Sequence, residues 1–550
     1  MMSGNSLRSA RLSRRSFLGG IAASAGATIL AACGGSSNPT ATSAPVTSAT
    51  TASGTTGASV ATRPATTGSA ISSTAASTAA NTASTSGTTV ASTTAASSVT
   101  SGTAAAGTSS AASSTGFTLL PTPSATQFKG QSLQVIARQE YFKEVEGAFD
   151  AEVQKFAQLT GSKIENNRIN EDTGQVVQKM DAAVKAGNGP DIAYFDRFVP
   201  ELYQLGNIVD VSDVVGQISD AYGAPEDNVR INATVGGKYY GIPYSTQGAG
   251  YFARKDWLTE KNIKITDVKT FENLRDVALE ISDPARNRYG WGMTVNQSGD
   301  GNGLIQGVIN AYGGAGASDD GKKAIFNSPE TVQAVTFLGD IYTNPKYKNM
   351  LPPGVQSWND TGNNEAWLAG VIGITTNQFS LYAQSKATKN PVYDNTVVFP
   401  GVIGTSADRP LAFGNYSYFV IFKGAKNPDL AKALARYLVG GSALVNIVKP
   451  ANGLILPAYK KVWESDPYYL NGDPVFSASR AVVEQPLPIA TKTGLHFPQT
   501  PSPAWQQAYN SYILTDMMGQ VIQKGVKPAD AVKQASDRIV AAFNQLGIPQ

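Results

Sequence analysis

From residue 132 onward the apolar positions of the chain switch between two periods. Leu133-Gln134-Val135-Ile136 reads as a short strand, and Val145, Phe149, Val153 and Phe156 then recur at the spacing of an amphipathic helix that stops at Gly161. Lys163-Ile164-Glu165 reads as a second strand. Val176, Met180 and Val184 mark a second helix, closed by Gly187-Asn188-Gly189-Pro190, and Asp191-Ile192-Ala193-Tyr194-Phe195 is a third strand. A βαβαβ order predicts parallel pairing and a sheet covered by helices. Ligands of such sheets collect at the carboxyl ends of the strands, which puts Arg138-Gln139-Glu140-Tyr141 and Asp196-Arg197 where a ligand is expected.

The pattern changes after Val235. Gly236-Gly237 signals a hairpin, and Tyr239-Tyr240-Gly241-Ile242-Pro243 runs into a polar, glycine-broken segment. Helix and strand patterns alternate through 271–399. A β-rich piece at 413–424 precedes the helical "NPDLAKALARYLVGG", and the last 100 residues read as helix or loop. No internal repeat is found.

Ahead of this body the composition is different. Arg8, Arg11, Arg14 and Arg15 form a basic head without acids, followed by a small-residue apolar run from Phe17 to Ala32 and then Leu30-Ala31-Ala32-Cys33. The run is shorter than the roughly 20 apolar residues of a membrane span and reads as an export signal. Ser13-Arg14-Arg15-Ser16-Phe17-Leu18 resembles the twin-arginine signal, and Leu-Ala-Ala-Cys resembles the bacterial lipobox. Residues 1–32 are therefore expected to be removed, with Cys33 as the lipid-bearing first residue of the mature chain. It is the only cysteine, so no internal disulfide forms. Residues 34–126 are almost wholly Ser, Thr, Ala and Gly, which cannot bury enough apolar surface to order themselves; they read as a tether spanning roughly 50 Å as a flexible coil.

The head and tether also account for the charge. Five of the 44 basic residues (Arg8, Arg11, Arg14, Arg15, Arg63) and none of the 41 acids precede residue 127, leaving 39 against 41 for the body. The pI of about 8.6 thus belongs to the precursor and gives no support to a nucleic-acid partner. The body is long enough for two domains of ordinary size.

Catalytic chemistry finds little to work with. The single histidine, His496, permits neither a Ser-His-Asp triad nor a histidine-rich metal centre. Paired carboxylates for glycoside hydrolysis remain open among so many acids. Gly316-Ala-Ser-Asp-Asp-Gly321-Lys322-Lys323 imitates a phosphate loop but has lysine where the magnesium-binding hydroxyl belongs. Asp300 and Asn302 hint at calcium without the terminal acid of an EF-hand loop. No metal or cofactor is expected.

Six motifs in order resemble the extracellular solute-binding lipoproteins of ABC transporters, family 1, with the layout of maltose-binding protein. They are Gly189-Pro190-Asp191-Ile192, Gly237-Lys238-Tyr239-Tyr240-Gly241-Ile242-Pro243, "GGAGASDDGKKAIFNSPETVQAVTFL", "NEAWLAGVIGITTN", "NPDLAKALARYL" and "NGLILP". Val371 and Gly373 depart from the usual Lys and Met of the fourth. The resemblance implies an α/β, two-lobed periplasmic-binding-protein-like fold of type II, each lobe a mixed sheet flanked by helices. Crossings between lobes are expected near 244–252, 396–412 and 439–450. The implied divisions are 127–247 and 397–440 for lobe 1, and 248–396 and 441–550 for lobe 2.

In that layout the cleft loops carry aromatics beside amide, acid and guanidinium groups, a mixture suited to the apolar face and hydroxyl rim of a sugar. The candidates are Arg138, Glu140, Tyr141, Asp196, Arg197, Tyr244 and Gln247 in the first lobe. Trp291, Asn302, Trp358, Asn377 and Phe379 belong to the second, and Asn415 and Tyr416 to the return segment. Any one Trp or Tyr on a strand is a core residue more often than a stacking platform. The expected role is a monomeric, membrane-tethered receptor outside the cytoplasm that closes on a mono- or oligosaccharide and delivers it to ABC permease subunits with a cytoplasmic ATPase. A tethered glycoside-active enzyme or a structural surface lipoprotein is the alternative. Iron is disfavoured by the lack of a Tyr/His cluster, and polyamines by the lack of a clear acidic cluster along the chain.

Overall fold

The computed structural model describes residues 120, 123–124, 127–171, 175–196, 198–399, 401–404, 413–484 and 502–550. The export signal, Cys33, the tether, Arg197 and His496 lie outside the described residues. Three parallel strands open the body: β1 (Ser132–Arg138) lies between β2 (Lys163–Ile169) and β3 (Ile192–Asp196). The helix Lys143–Thr160 buries Val145, Phe149, Val153 and Phe156, the stripe read from the sequence, and ends on Gly161 at φ 68. The helix Val176–Lys185 buries Val176 and Met180. A hairpin of β4 (Thr234–Val235) and β5 (Lys238–Tyr239) turns through Gly236 and Gly237, both at positive φ, as a two-residue turn of this kind requires.

The next strand, β6 (Ile242–Arg254), is thirteen residues long and nearly all buried. It is followed by β7 (Tyr289–Trp291), β8 (Ile372–Gln378), β9 (Thr396–Phe399), β10 (Phe413–Ile421) and β11 (Leu456–Pro457). The main sheet runs β2-β1-β3-β10-β6-β8-β7. The first part of β6 pairs antiparallel with β10, from Ile242 to Ala249, and its second part pairs with β8, from Ala249 to Ala253. One strand therefore belongs to two half-sheets, and the changeover falls inside the expected 244–252 crossing.

Two hydrophobic cores flank this strand. The first gathers Leu133, Phe149, Phe156, Phe195, Leu202, Phe419 and Leu434; the second gathers Trp257, Leu274, Trp291, Ile305, Leu338, Met518 and Phe543. The expected third crossing near 439–450 is not where the chain changes core. Residues 441–484, assigned from the sequence to the second lobe, carry Leu444, Ile447, Trp463 and Phe476 into the first core. They are held there by Glu152 of the 143–160 helix, which accepts hydrogen bonds from the Tyr437 hydroxyl at 2.6 Å and from Asn446 Nδ2 at 3.0 Å. Only the helices Pro503–Asn510, Ile513–Lys524 and Pro528–Gln545 join the second core. The first core also reaches across β6 through Phe252, Trp367 and Phe379.

Close packing explains the departure at Gly373. A Cβ there would lie 2.7 Å from Ile281 and 2.8 Å from Trp257, so the strand interior has no room for a long side chain. The phosphate-loop lookalike is a turn: Gly316 lies against the Trp505 ring, and Ser318 and Lys323 pair through their backbones. Among the described residues no helix is long and apolar enough to cross a membrane.

Gly290 and Gly519 make a contrasting pair. A Cβ on Gly290 would sit 1.8 Å from the Ala278 carbonyl oxygen, whereas nothing lies within 4 Å of one on Gly519. Gly290→Ala is expected to lower stability by about 3 kcal/mol through overpacking. Gly519→Ala, in a helix interior, is expected to raise it by about 0.5–1 kcal/mol. Thermal and denaturant melts of the two variants check both signs.

Candidate functional site

The carboxyl ends of β1 and β3 hold the first half of the site. Arg138 ends β1 and Asp196 ends β3. The two side chains form an ion pair, and Glu140 Oε1 and Glu171 Oε2 stand 3.4 Å and 3.8 Å from the guanidinium. Tyr194 donates its hydroxyl proton to Glu140 Oε1 at 2.5 Å, the Asp196 amide donates to Glu171 Oε1 at 3.0 Å, and the Ser417 hydroxyl donates to Asp196. Burial pushes the Glu140 carboxyl up, against the pull of Arg138. Burial also opposes the Arg138 charge, but Asp196, Glu140 and Glu171 hold its pKa well above the ordinary value. One guanidinium therefore faces three carboxylates, and the group is anchored by residues from four separate stretches of chain.

The second half comes from the elements around β8. Asn377 ends in a closed set of amides: its Nδ2 donates to Asn364 Oδ1, Ser380 donates to Asn377 Oδ1 at 3.1 Å, and Asn364 Nδ2 donates to Ser380 at 3.0 Å. Asn364 Nδ2 also donates, at 3.0 Å, to the hydroxyl of Tyr141, which stands just beyond the end of β1. That bond ties the loop after β1 to the helix Gly362–Leu368.

A small cavity of about 20 Å³, room for about one water-sized group, lies where the two halves face each other. Glu171, Phe198 and Glu201 line it from the first half, and Asn302, Tyr509 and Asn510 from the second. Glu201, on the short helix Val199–Gln204, is 2% exposed, and its partner among the described residues is Asn510 Nδ2 at 3.4 Å. Burial pushes its carboxyl up to about 7, and the hydrogen bond from Asn510 only partly opposes this. Asn302 is 1% exposed; its Nδ2 donates to the Tyr509 carbonyl at 2.7 Å and its Oδ1 has no partner among the described residues.

The structure thus brings Arg138, Glu140 and Asp196 into one cluster, joins Tyr141 to Asn377 through Asn364, and sets Asn302 in the cavity. Gln247 lies opposite Asn415, and Thr246 opposite Tyr416, on the paired strands β6 and β10, with Gln247 Nε2 buried and unpartnered. Three of the expected aromatics are core side chains instead. Trp291 is fully buried and donates Nε1–H to the Tyr342 hydroxyl at 3.0 Å. Tyr244 packs edge-on against Tyr194 and Phe419. Phe379 packs against Phe252. Trp291 and Tyr244 turn into a core from strands β7 and β6, and Phe379 does so from the position just after β8. Trp358 is half-buried over Gly362, in a separate open groove with Asn359 and Glu365. Asp300 accepts from Asn363 Nδ2 at 2.8 Å, and among the described residues no group of acids, histidines or cysteines forms a metal-holding set.

Glu171, Glu201, Asn364 and Asn510 are absent from the residues singled out by sequence. Asn364 was within reach, inside the quoted "NEAWLAGVIGITTN". Glu201 gave no cue, because an acid in the first turn of a helix is ordinarily a solvated one.

The family of bacterial extracellular solute-binding proteins matches residues 151–472, and the chain belongs to that family. No curated protein matches it. Among solved structures, a Thermotoga lettingae ABC transporter solute-binding protein bound to α-D-tagatose is 19% identical, with 75% of this chain and 100% of that one covered and a TM-score of 0.61. Maltose-bound MalE3 of T. maritima is 17% identical over 74% of this chain and 99% of that one, TM-score 0.61. An Agrobacterium radiobacter K84 solute-binding protein in complex with ribitol is also 17% identical, over 75% and 98%, TM-score 0.61. At these identities the likeness is one of fold: two α/β lobes with a cleft between them.

The raised Glu201 carboxyl sets a pH dependence. On folding it binds a proton between its ordinary 4.5 and about 7, so stability is whole in acid, falls as pH rises from about 4.5 to about 7 and levels off above that. Between pH 5 and pH 8 the loss is about 2.5 kcal/mol. Glu201→Gln, which cannot ionise, is expected to remove this part of the slope; melts at both pH values check it.

Proposed function

We propose that this bacterial extracellular solute-binding protein captures a small polyhydroxylated solute, a sugar or polyol, between its two halves and delivers it unchanged to an ABC permease. The observation that carries the proposal is the cavity with one wall from each half. Its lining sets the carboxylates of Glu171 and Glu201 beside the amides of Asn302 and Asn510, and Glu171 stands 3.8 Å from the Arg138 guanidinium. Hydroxyls both donate and accept, so such a lining suits them. The bound ligands named for the structural neighbours, tagatose, maltose and ribitol, are of this class. Within the reading, Arg138, Glu140, Tyr141, Asp196, Asn302 and Asn377 are binding residues, joined by Glu171, Glu201, Asn364 and Asn510. Gln247, Asn415 and Tyr416 support the rim from the strands between the halves, and Arg197 and Trp358 stand as neighbouring candidates.

The mechanism is closure about β6. A solute that contacts both walls binds the closed form better, and that difference in affinity is what shifts the population. In this reading the Tyr141–Asn364 and Glu201–Asn510 bonds belong to the closed form. The permease subunits, with their cytoplasmic ATPase, would receive that form. Cys33, lipidated after export, would hold the receptor to the membrane by its tether, leaving a monomeric body free to meet solute.

A panel of sugars and polyols tests this by thermal shift, small-angle scattering and mass analysis of the recovered solute. At a hundredfold excess over Kd a true ligand adds about 2.7 kcal/mol, so Tm rises by a few degrees, the radius of gyration falls and the solute returns intact. A cleaved solute supports the glycoside-active alternative, and silence across the panel contradicts the receptor reading.

A further inference from the structure

The cavity wall is short of donors. Glu201 presents a carboxylate that is 2% exposed, and its partner is an amide nitrogen at the long distance of 3.4 Å. An ionised carboxylate accepts about four hydrogen bonds, so most of its capacity is unused. Asn302 adds a second acceptor. Its Nδ2 is committed to the Tyr509 carbonyl at 2.7 Å, which fixes the amide with Oδ1 unpartnered among the described residues at a 1% exposed position on the same cavity. The geometry is held from one helix end: Tyr509 anchors Asn302, and its neighbour Asn510, whose Oδ1 accepts from Gln506 at 3.0 Å, is left with Nδ2 toward Glu201. Glu171 brings another carboxylate to the cavity, shared with Arg138 and the Asp196 amide. No Lys or Arg is among the described residues that line it.

We infer that this corner takes a primary ammonium group of the solute, so that the ligand is an amino-substituted sugar or polyol rather than a neutral one. The inference rests on the receptor reading above and narrows it. An ammonium supplies three donors and one positive charge, which is what two buried acceptors without a cation lack; a hydroxyl supplies one donor and no charge. A buried carboxylate without a compensating charge is costly, in keeping with the raised Glu201 carboxyl. The acids are far apart in sequence, at 171 and 201, which is why no acidic cluster is visible along the chain.

The test is calorimetry and thermal shift on the intact protein at pH 7 with matched sets: hexoses and hexitols, their amino counterparts, and the N-acetylated forms that keep the size and lose the charge. A simple diamine forms a separate arm. The amino compounds are expected to bind about tenfold or more tightly than their neutral partners, the difference between a charge-assisted and a neutral hydrogen bond, and N-acetylation is expected to abolish the gain. In Glu201→Gln the amino and neutral compounds should bind alike. The N-acetyl comparison uses wild-type protein and stands even if that variant folds poorly. Neutral sugars binding as well as or better than their amino forms overturns the inference and leaves the receptor reading intact. A diamine binding while every sugar fails upholds the ammonium site and overturns the sugar reading. No response from any compound overturns both.

Discussion

Everything in the body is constrained by one strand that belongs to two half-sheets. β6 spends its first part against β10 and its second against β8 and β9, with the changeover at Ala249. Backbone hydrogen bonds fix its register on both sides, because a slip of one residue would turn every side chain to the opposite face. Ser245, Thr246 and Gln247 carry buried polar atoms without partners among the described residues just before the changeover, and Gly248 and Gly250 lie close under Val482. The first core reaches past this point through Phe252, Trp367 and Phe379, so the two halves share packing as well as a strand.

The site follows from this arrangement by addition. Parallel pairing brings the ends of β1 and β3 to one edge, and Arg138 and Asp196 meet there with Glu140 and Glu171 around them. Burying several carboxylates near one guanidinium is unfavourable in isolation, because desolvation can exceed the Coulombic gain. Hydrogen bonds from Tyr194, Ser417 and the Asp196 amide make the cluster tolerable. The second half offers amides in a closed network of Asn364, Asn377 and Ser380.

Much of the fold was legible along the chain because local periodicity and tertiary packing agree. The 143–160 helix buries the residues its stripe named, and the Gly236-Gly237 hairpin turns as its residue types require. The carboxyl-end loops of the parallel strands were legible for the same reason, since topology alone places Arg138 and Asp196. What failed was the sorting of aromatics. Trp291, Tyr244 and Phe379 stand in motifs that border a cleft, but side-chain direction on a strand decides between cleft and core, and no pattern of three to seven residues fixes which face is inward. The assignment of 441–484 failed differently: it depends on Leu444 and Ile447 finding the 143–160 helix across some 300 residues of sequence, with Glu152 as the polar anchor. Glu201 and Asn510 are likewise meaningful only as a pair, and they stand 309 residues apart in sequence.

The account stands on movement about β6, and a distance between the halves measures it most directly. Spin labels at the exposed positions Lys185 and Lys346, one beside each core, with Cys33 replaced, would report that distance with and without a solute that raises Tm. The account predicts a longer or broader distribution in the empty protein that collapses to one shorter distance on binding. An identical narrow distance in both samples, with the solute demonstrably bound, would contradict it.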